Sequence, residues 1–368
     1  MKRFLRKIHL YFSLICGLFF IILCLTGAIL VFQTEIQQII NPDFFYVKNY
    51  EGKKALPVDS LLSIADKTIR SEGKTLESAQ FYSQPDKTCE FKVSEVKGVF
   101  LAMNPYTGEI TGKGTPASSF FFTVRCLHRW LLFTPDGWPD RQTGKKIMGT
   151  VSVLISLVLI SGFLFVIPKK LSLWKNLFVI KKEKNKFLFW FTSHRSLGMY
   201  SLLFLLLMSL TGPIWSFESY RKGVAIVFGV YDGKETKGKS SGGPKKATQP
   251  DVSVWAEACR QIMTEVPDYK SLVVQNNRVN VVTDYHKNSN TSDSYRFDEN
   301  GKILSKTDRE ELSGNRKMMR YAFMLHTGNW GGIVVKFIYF ISCIIGVYLM
   351  VSGMVVWMKK KNFHNDKC

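Results

Sequence analysis

The sequence predicts an α-helical integral membrane protein: four transmembrane helices in two repeated pairs, with two small α+β extracytoplasmic domains. Three observations predict it: four long apolar runs, basic stretches that flank them, and self-similarity between the two halves of the 368-residue chain. The apolar runs are residues 8–33, 147–167, 187–215 and 333–358. Each is long enough for a hydrocarbon core of about 30 Å, which takes about 20 helical residues. Hydrophobic residues make up 46% of the chain, yet mean hydropathy is close to zero, as apolar blocks alternating with polar domains would give.

The first run starts helix one, with residues 1–33 as its segment. It exceeds the usual 7–15 residue apolar stretch of a signal peptide and continues through Leu30, Val31 and Phe32 without a convincing cleavage site. It is therefore read as an uncleaved helix. An outer domain follows at 34–123, then an interfacial segment with helix two at 124–167. A basic loop spans 168–186 and helix three 187–215. The second outer domain spans 216–318, an interfacial segment with helix four 319–358, and a tail 359–368.

A formal charge of +21 raises nucleic acid as a partner. Its distribution excludes that reading. Residues 41–122 carry ten basic and ten acidic side chains. Much of the excess sits at Lys2, Arg3, Arg6 and Lys7, at seven lysines between Lys169 and Lys186, and at Lys359 to Lys361. Each stretch flanks an apolar run, which places the N-terminus, the 168–186 loop and the tail in the cytoplasm. Trp190, Trp215, Trp330 and Trp357 fall near the resulting interfaces.

Within the outer segments, residues 58–71 and 252–264 carry helical spacing. Strand-like runs lie at 91–93 and 99–103, then at 273–274, 279–282 and 294–297. Asn104 to Ile110 reads as a hairpin turn, and Asp298 to Ile303 resembles it. Residues 233–250, rich in Gly, Ser, Lys and Pro, read as a mobile loop. Seven cysteines show no C-x-x-C and no zinc spacing. A Cys89–Cys259 disulfide stays open at this stage.

The repeat carries the functional argument. His9 and His194 each stand 18 positions before the glycine of a Leu-Thr-Gly, at Gly27 and Gly212. Leu127-His128 and Leu325-His326 precede helices that end in Ser161-Gly162 and Ser352-Gly353, at intervals of 34 and 27 positions. The extra residues fit in the Thr134–Asp140 region. Topology sets His9 and His194 at the cytoplasmic face, and His128 and His326 at the outer face. Ionisable side chains at membrane depth are costly and usually functional. A neutral imidazole is a good haem-iron ligand, and two on facing helices fill both axial positions. The pattern thus predicts two haems with His9, His194, His128 and His326 as iron ligands. Arg195, Arg125 and Arg129 are placed to pair propionates. The Ser/Thr-Gly pairs read first as close helix packing. His286 and His364 lack this context and read as solvated.

Lys7-Ile8-His9, Leu127-His128-Arg129-Trp130, Ser193-His194-Arg195 and Leu325-His326-Thr327-Gly328 together resemble the PepSY-associated transmembrane family. That family includes siderophore-iron reductases of the bacterial inner membrane. The Asn104-Pro105-Tyr106-Thr107-Gly108-Glu109 turn is similar to the closing hairpin of a PepSY domain. The second outer domain matches less well, with Asn300 where the first has Thr107. The resemblance implies b-type haem between transmembrane helices and reduction of a periplasmic Fe(III)-siderophore or similar chelate. Reduction weakens the hold of hard oxygen ligands on the iron. Phe120, Phe121, Phe122, Trp130, Trp138 and Trp330 are candidates to seat the chelate or to anchor in the bilayer. The expected partners are the lipid bilayer, the ferric chelate, and an electron donor that is either quinol or a cytoplasmic reductase.

A second reading is a membrane-anchored PepSY-type binding or regulatory module without redox activity. A chelate transporter is disfavoured by the few intramembrane charges and by the lack of a Gly/Pro-broken helix pair. No P-loop, H-E-x-x-H, G-x-S-x-G or dinucleotide fingerprint is present.

Overall fold

The computed structural model describes residues 2–94, 99–114, 119–135, 137–181, 186–231, 233, 250–283, 292–307 and 314–365. In chain order the helices begin α1 (Lys2–Val31), α2 (Gln33–Ile40), α3 (Pro42–Phe45) and α4 (Val58–Ser71). Strands β1 (Leu76–Tyr82), β2 (Cys89–Val93), β3 (Leu101–Met103) and β4 (Ile110–Lys113) follow. Then come α5 (Ser119–Trp130), α6 (Arg141–Val166), α7 (Lys186–Thr211), α8 (Glu218–Val227) and α9 (Val252–Glu265). Strands β5 (Tyr269–Gln275), β6 (Arg278–Thr283), β7 (Asp293–Phe297) and β8 (Ile303–Thr307) precede α10 (Gly314–Thr327) and α11 (Gly332–Asn365).

Among the described residues, four helices are long and apolar enough to cross a membrane: Lys2–Val31, Arg141–Val166, Lys186–Trp215 and Asn329–Lys360. They belong to one compact unit, made of residues 1–33, 119–231 and 318–368. Within it α1 packs on α6 and α11, and α7 packs on α11 and α6. Small residues let the helices approach. A Cβ on Gly17 would lie 2.5 Å from Met350 Cε, and one on Gly346 would lie 2.6 Å from Cys24 Sγ. Between α6 and α7, Ser152 Oγ donates to Ser209 O at 2.8 Å, and Ser156 Oγ donates to Ser209 Oγ at 3.0 Å. Cys16, Phe20, Cys24, Val151, Ile155, Leu205 and Cys343 fill the interior. Ile15, Leu18, Leu203, Ile341 and Val351 face outward, as helices solvated by acyl chains require.

The second unit comprises residues 34–118 and 232–317. Here the structure corrects the sequence reading. The two outer segments, expected as two small domains, form one antiparallel eight-stranded sheet in the order β4-β3-β2-β1-β5-β6-β7-β8. The seam is β1 against β5, with Ala79 opposite Val274 and Phe81 opposite Leu272. Each half alone would leave a bare edge strand, and pairing the two edges removes that liability. α4 and α9 pack on each other. A single core draws Leu62, Ile69, Phe91 and Met103 from one segment and Trp255, Ile262, Leu272 and Val279 from the other.

The helices expected at 58–71 and 252–264 are α4 and α9. Both turns close hairpins. Asn104 Oδ1 accepts from the Tyr106 amide at 2.9 Å, and Asp298 Oδ1 accepts from the Asn300 and Lys302 amides, each at 2.9 Å. Gly108 and Gly301 take φ of 71° and 83°, which favours glycine. Cys89 and Cys259 lie in the shared core as free thiols, so the disulfide is not formed. The stretch 233–250 is outside the described residues except Gly233 and Pro250, and His286 is outside them too.

Candidate functional site

The four repeat-related histidines come together as two pairs. His9, near the start of α1, faces His194, near the start of α7, with ring centroids 6.2 Å apart. His128 on α5 faces His326 on α10, also at 6.2 Å. His364 lies in the last turns of α11, and its side chain is outside what the structure describes.

Each ring is seated the same way on a neighbouring helix. His9 Nδ1 lies 2.9 Å from Val158 O on α6. Ser161 Oγ donates to that same carbonyl, and a Cβ on Gly162 would meet His9 Cε1 at 2.8 Å. His194 Nδ1 lies 3.0 Å from Ser352 Oγ on α11, and a Cβ on Gly353 would meet His194 Cε1 at 3.2 Å. His128 Nδ1 lies 2.8 Å from Thr26 Oγ1 on α1, with Gly27 against its Cε1. His326 Nδ1 lies 2.9 Å from Thr211 Oγ1 on α7, with Gly212 against its Cε1. The Ser/Thr-Gly pairs, read from sequence as helix packing, are thus the seats of the histidines. The hydroxyl or a carbonyl holds one ring nitrogen, and the missing Cβ leaves room for the ring.

The hydrogen-bond network assigns the tautomer. Thr26 has one hydroxyl proton and donates it to Ile22 O at 2.5 Å. Thr211 donates to Leu207 O at 2.7 Å and Ser352 to Tyr348 O at 2.8 Å. Each hydroxyl can therefore only accept from the imidazole. The carbonyl of Val158 can only accept as well. All four histidines thus carry the proton on Nδ1 and keep a lone pair on Nε2. Among the described residues, no hydrogen bond engages any of those Nε2 atoms. This is the arrangement by which an outer partner orients a metal-ligating histidine.

The spacing can be tested against a metal. Two imidazoles in trans on one ion, at bonds of about 2 Å, hold their ring centres about 6 Å apart. The observed 6.2 Å matches. The interplanar angles of 85° and 66° are compatible, because each ring is free to turn about its own bond. Among the described residues, no group of three or more His, Cys, Asp or Glu side chains is arranged to hold a metal ion. A two-nitrogen set suits an ion whose remaining positions are filled by a macrocycle, as in haem. The residues present fit that group.

The arginines behave differently from one another. Arg195 donates to the Asn176 and Val179 carbonyls and stacks near Phe191, so its guanidinium ties the 3-10 helix Leu171–Phe178 to α7. Arg125 donates to Gln33 Oε1 at 2.8 Å. Arg129 is exposed and lies over Trp130. Phe121 is buried, whereas Phe120, Phe122, Trp138 and Trp330 are exposed. Tyr339, which the sequence reading passed over, is fully buried beside the second pair; its hydroxyl donates to Leu325 O at 2.6 Å.

A family model described as the PepSY-associated TM region matches residues 6–360. No curated protein matches the chain.

Proposed function

The chain belongs to the PepSY-associated transmembrane family, and from that premise we propose that it is a transmembrane di-haem b electron-transfer protein. It reduces Fe(III) held by a siderophore or similar chelate at the periplasmic face of the bacterial inner membrane. The observation that carries this reading is the set of four imidazoles, each held at Nδ1 by a hydroxyl or carbonyl oxygen and paired at 6.2 Å.

His9 and His194 would hold one haem, and His128 and His326 the other. Bound there, b-type haem would supply one-electron chemistry. The protein does the rest. Thr26, Thr211, Ser352 and the Val158 carbonyl fix the donor nitrogen and raise its basicity. Gly27, Gly162, Gly212 and Gly353 leave space for the imidazoles. Arg125 and Arg129 bracket His128 and offer charge to an outer propionate, whereas Arg195 would do so at the inner pair only by leaving its carbonyl partners.

His9 and the Thr26-Gly27 seat lie on one helix, so the two pairs are about 27 Å apart along α1 at about 1.5 Å per residue. His194 and Thr211-Gly212 repeat that interval on α7. This supports two stacked sites built by a duplicated helix pair. The flanking lysines support cytoplasmic termini and a cytoplasmic 168–186 loop. The electron donor is then a quinol or a cytoplasmic reductase.

The test is the absorption spectrum of detergent-purified protein, oxidised and dithionite-reduced, with a haem-to-protein ratio. A low-spin b-type spectrum near two haems per chain is expected. No bound haem after expression with ample haem would leave the anchored PepSY-type binding module in its place.

A further inference from the structure

The surface beside the second histidine pair carries positive charge where elementary electrostatics disfavours it. Arg129 and Arg141 both lie over the Trp130 ring, their guanidinium carbons 5.1 and 5.5 Å from its centroid. Arg129 is repelled by Arg125 and Arg141, and Lys145 is repelled by Arg129 and Arg141. The close approach is built in: a Cβ on Gly144 would collide with Trp130 O, so only glycine lets the first turn of α6 abut the end of α5. Among the described residues no carboxylate forms a salt bridge with Arg125, Arg129, Arg141 or Lys145. Asp140, next in sequence to Arg141, spends its Oδ1 capping α6 through the Thr143 amide and hydroxyl.

Three rules are broken together. Like charges are clustered, and among the described residues none of Arg125, Arg129, Arg141 and Lys145 is in a salt bridge. Arg141, Lys145 and Lys146 occupy the first turns of α6, where the helix dipole is positive and cations are disfavoured. In the orientation proposed above, these cations also lie on the outer side, against the positive-inside bias. Such a cluster creates a potential well for an anion. Arg125 and Arg129 are assigned above to a propionate, but Arg141 and Lys145 are not.

We propose that Arg141 and Lys145, beside the Trp130 ring, form the docking site for a ferric chelate of net negative charge, such as a tris-catecholate. The inference rests on the ferric-chelate reading and narrows its substrate to the anionic class. Docking there sets the chelate against the helix that carries His128. A neutral or cationic tris-hydroxamate chelate gains nothing from the cluster.

The test uses the haem-loaded full chain in nanodiscs of zwitterionic lipid. Dithionite-reduced protein is mixed with ferric tris-catecholate or with ferric tris-hydroxamate, and the rate of haem oxidation is followed. Binding of the redox-inert gallium(III) tris-catecholate is measured separately by equilibrium dialysis. The native protein should bind the gallium chelate and favour the anionic ferric chelate, with a preference that fades as salt rises. R141Q and K145Q should each cut gallium binding and the anionic-to-neutral rate ratio by roughly tenfold, and R141K should keep both. R141K guards against a general folding defect. Equal rates for both chelates, or an unaltered ratio in R141Q and K145Q, would overturn the proposal. So would loss of gallium binding on moving from zwitterionic- to anionic-lipid nanodiscs at the same low ionic strength, which would identify a lipid headgroup as the occupant. Gallium binding that R141Q weakens, without any haem oxidation by ferric chelates, would sustain the docking site and refute the reductase reading instead.

Discussion

Replacing Thr26 by valine removes one oxygen and almost no volume. In the native protein that oxygen accepts the Nδ1 proton of His128 at 2.8 Å. In T26V the imidazole N–H has lost its hydroxyl acceptor, at a cost of about 1–3 kcal/mol for an unsatisfied buried donor. The ring can lower that cost by turning or by moving its proton to Nε2. Either response withdraws the lone pair from the position it shares with His326. Loss of such outer partners typically weakens metal binding about 10- to 100-fold, equivalent to about 1.4–2.7 kcal/mol. The assay is titration of apo-protein with haem, followed by the low-spin absorption band, with T26S as the control that restores the acceptor. One of two binding phases should weaken by that factor in T26V and recover in T26S. The other phase should stay unchanged, because the first pair is seated on Val158 and Ser352. Equal weakening of both phases, or none of either, would refute the tautomer argument.

Two further predictions concern the same seats. H128A and H326A should each remove one haem and abolish periplasmic ferric reduction while the other haem stays bound, and H9A should resemble H194A in its haem content; two retained haems in H128A would break the pairing. G162A and G27A should differ, although both place a methyl group beside a histidine. The Gly162 methyl would lie 2.8 Å from His9 Cε1, whereas the Gly27 methyl would lie 3.7 Å from His128 Cε1, in ordinary contact. G162A should therefore lose one haem and G27A retain both, as read from the haem-to-protein ratio.

The sequence by itself determined the spans, the four histidines and their intervals, because these depend on local composition and on the fixed rise of a helix. Helices α4 and α9 were readable for the same reason, through their 3.6-residue apolar period, and two turns through Asn104, Asp298 and the glycines that follow. The tertiary structure decided what each histidine touches. Their partners stand 102 to 158 positions away in the chain, and no local period encodes a contact of that span. Hence Thr-Gly and Ser-Gly looked like packing devices until Thr26, Thr211 and Ser352 were found against imidazoles. The same limit hid the seam between β1 and β5. Each half carries a complete hairpin pattern, so it reads as its own domain. Only the pairing of Ala79 with Val274 and Phe81 with Leu272 shows that neither half closes its core alone. Charge was the third case. Arg129, Arg141 and Lys145 are scattered over α5 and α6 in sequence. They become one field only when Gly144 lets those helices meet, because electrostatic energy depends on distance in space and not along the chain.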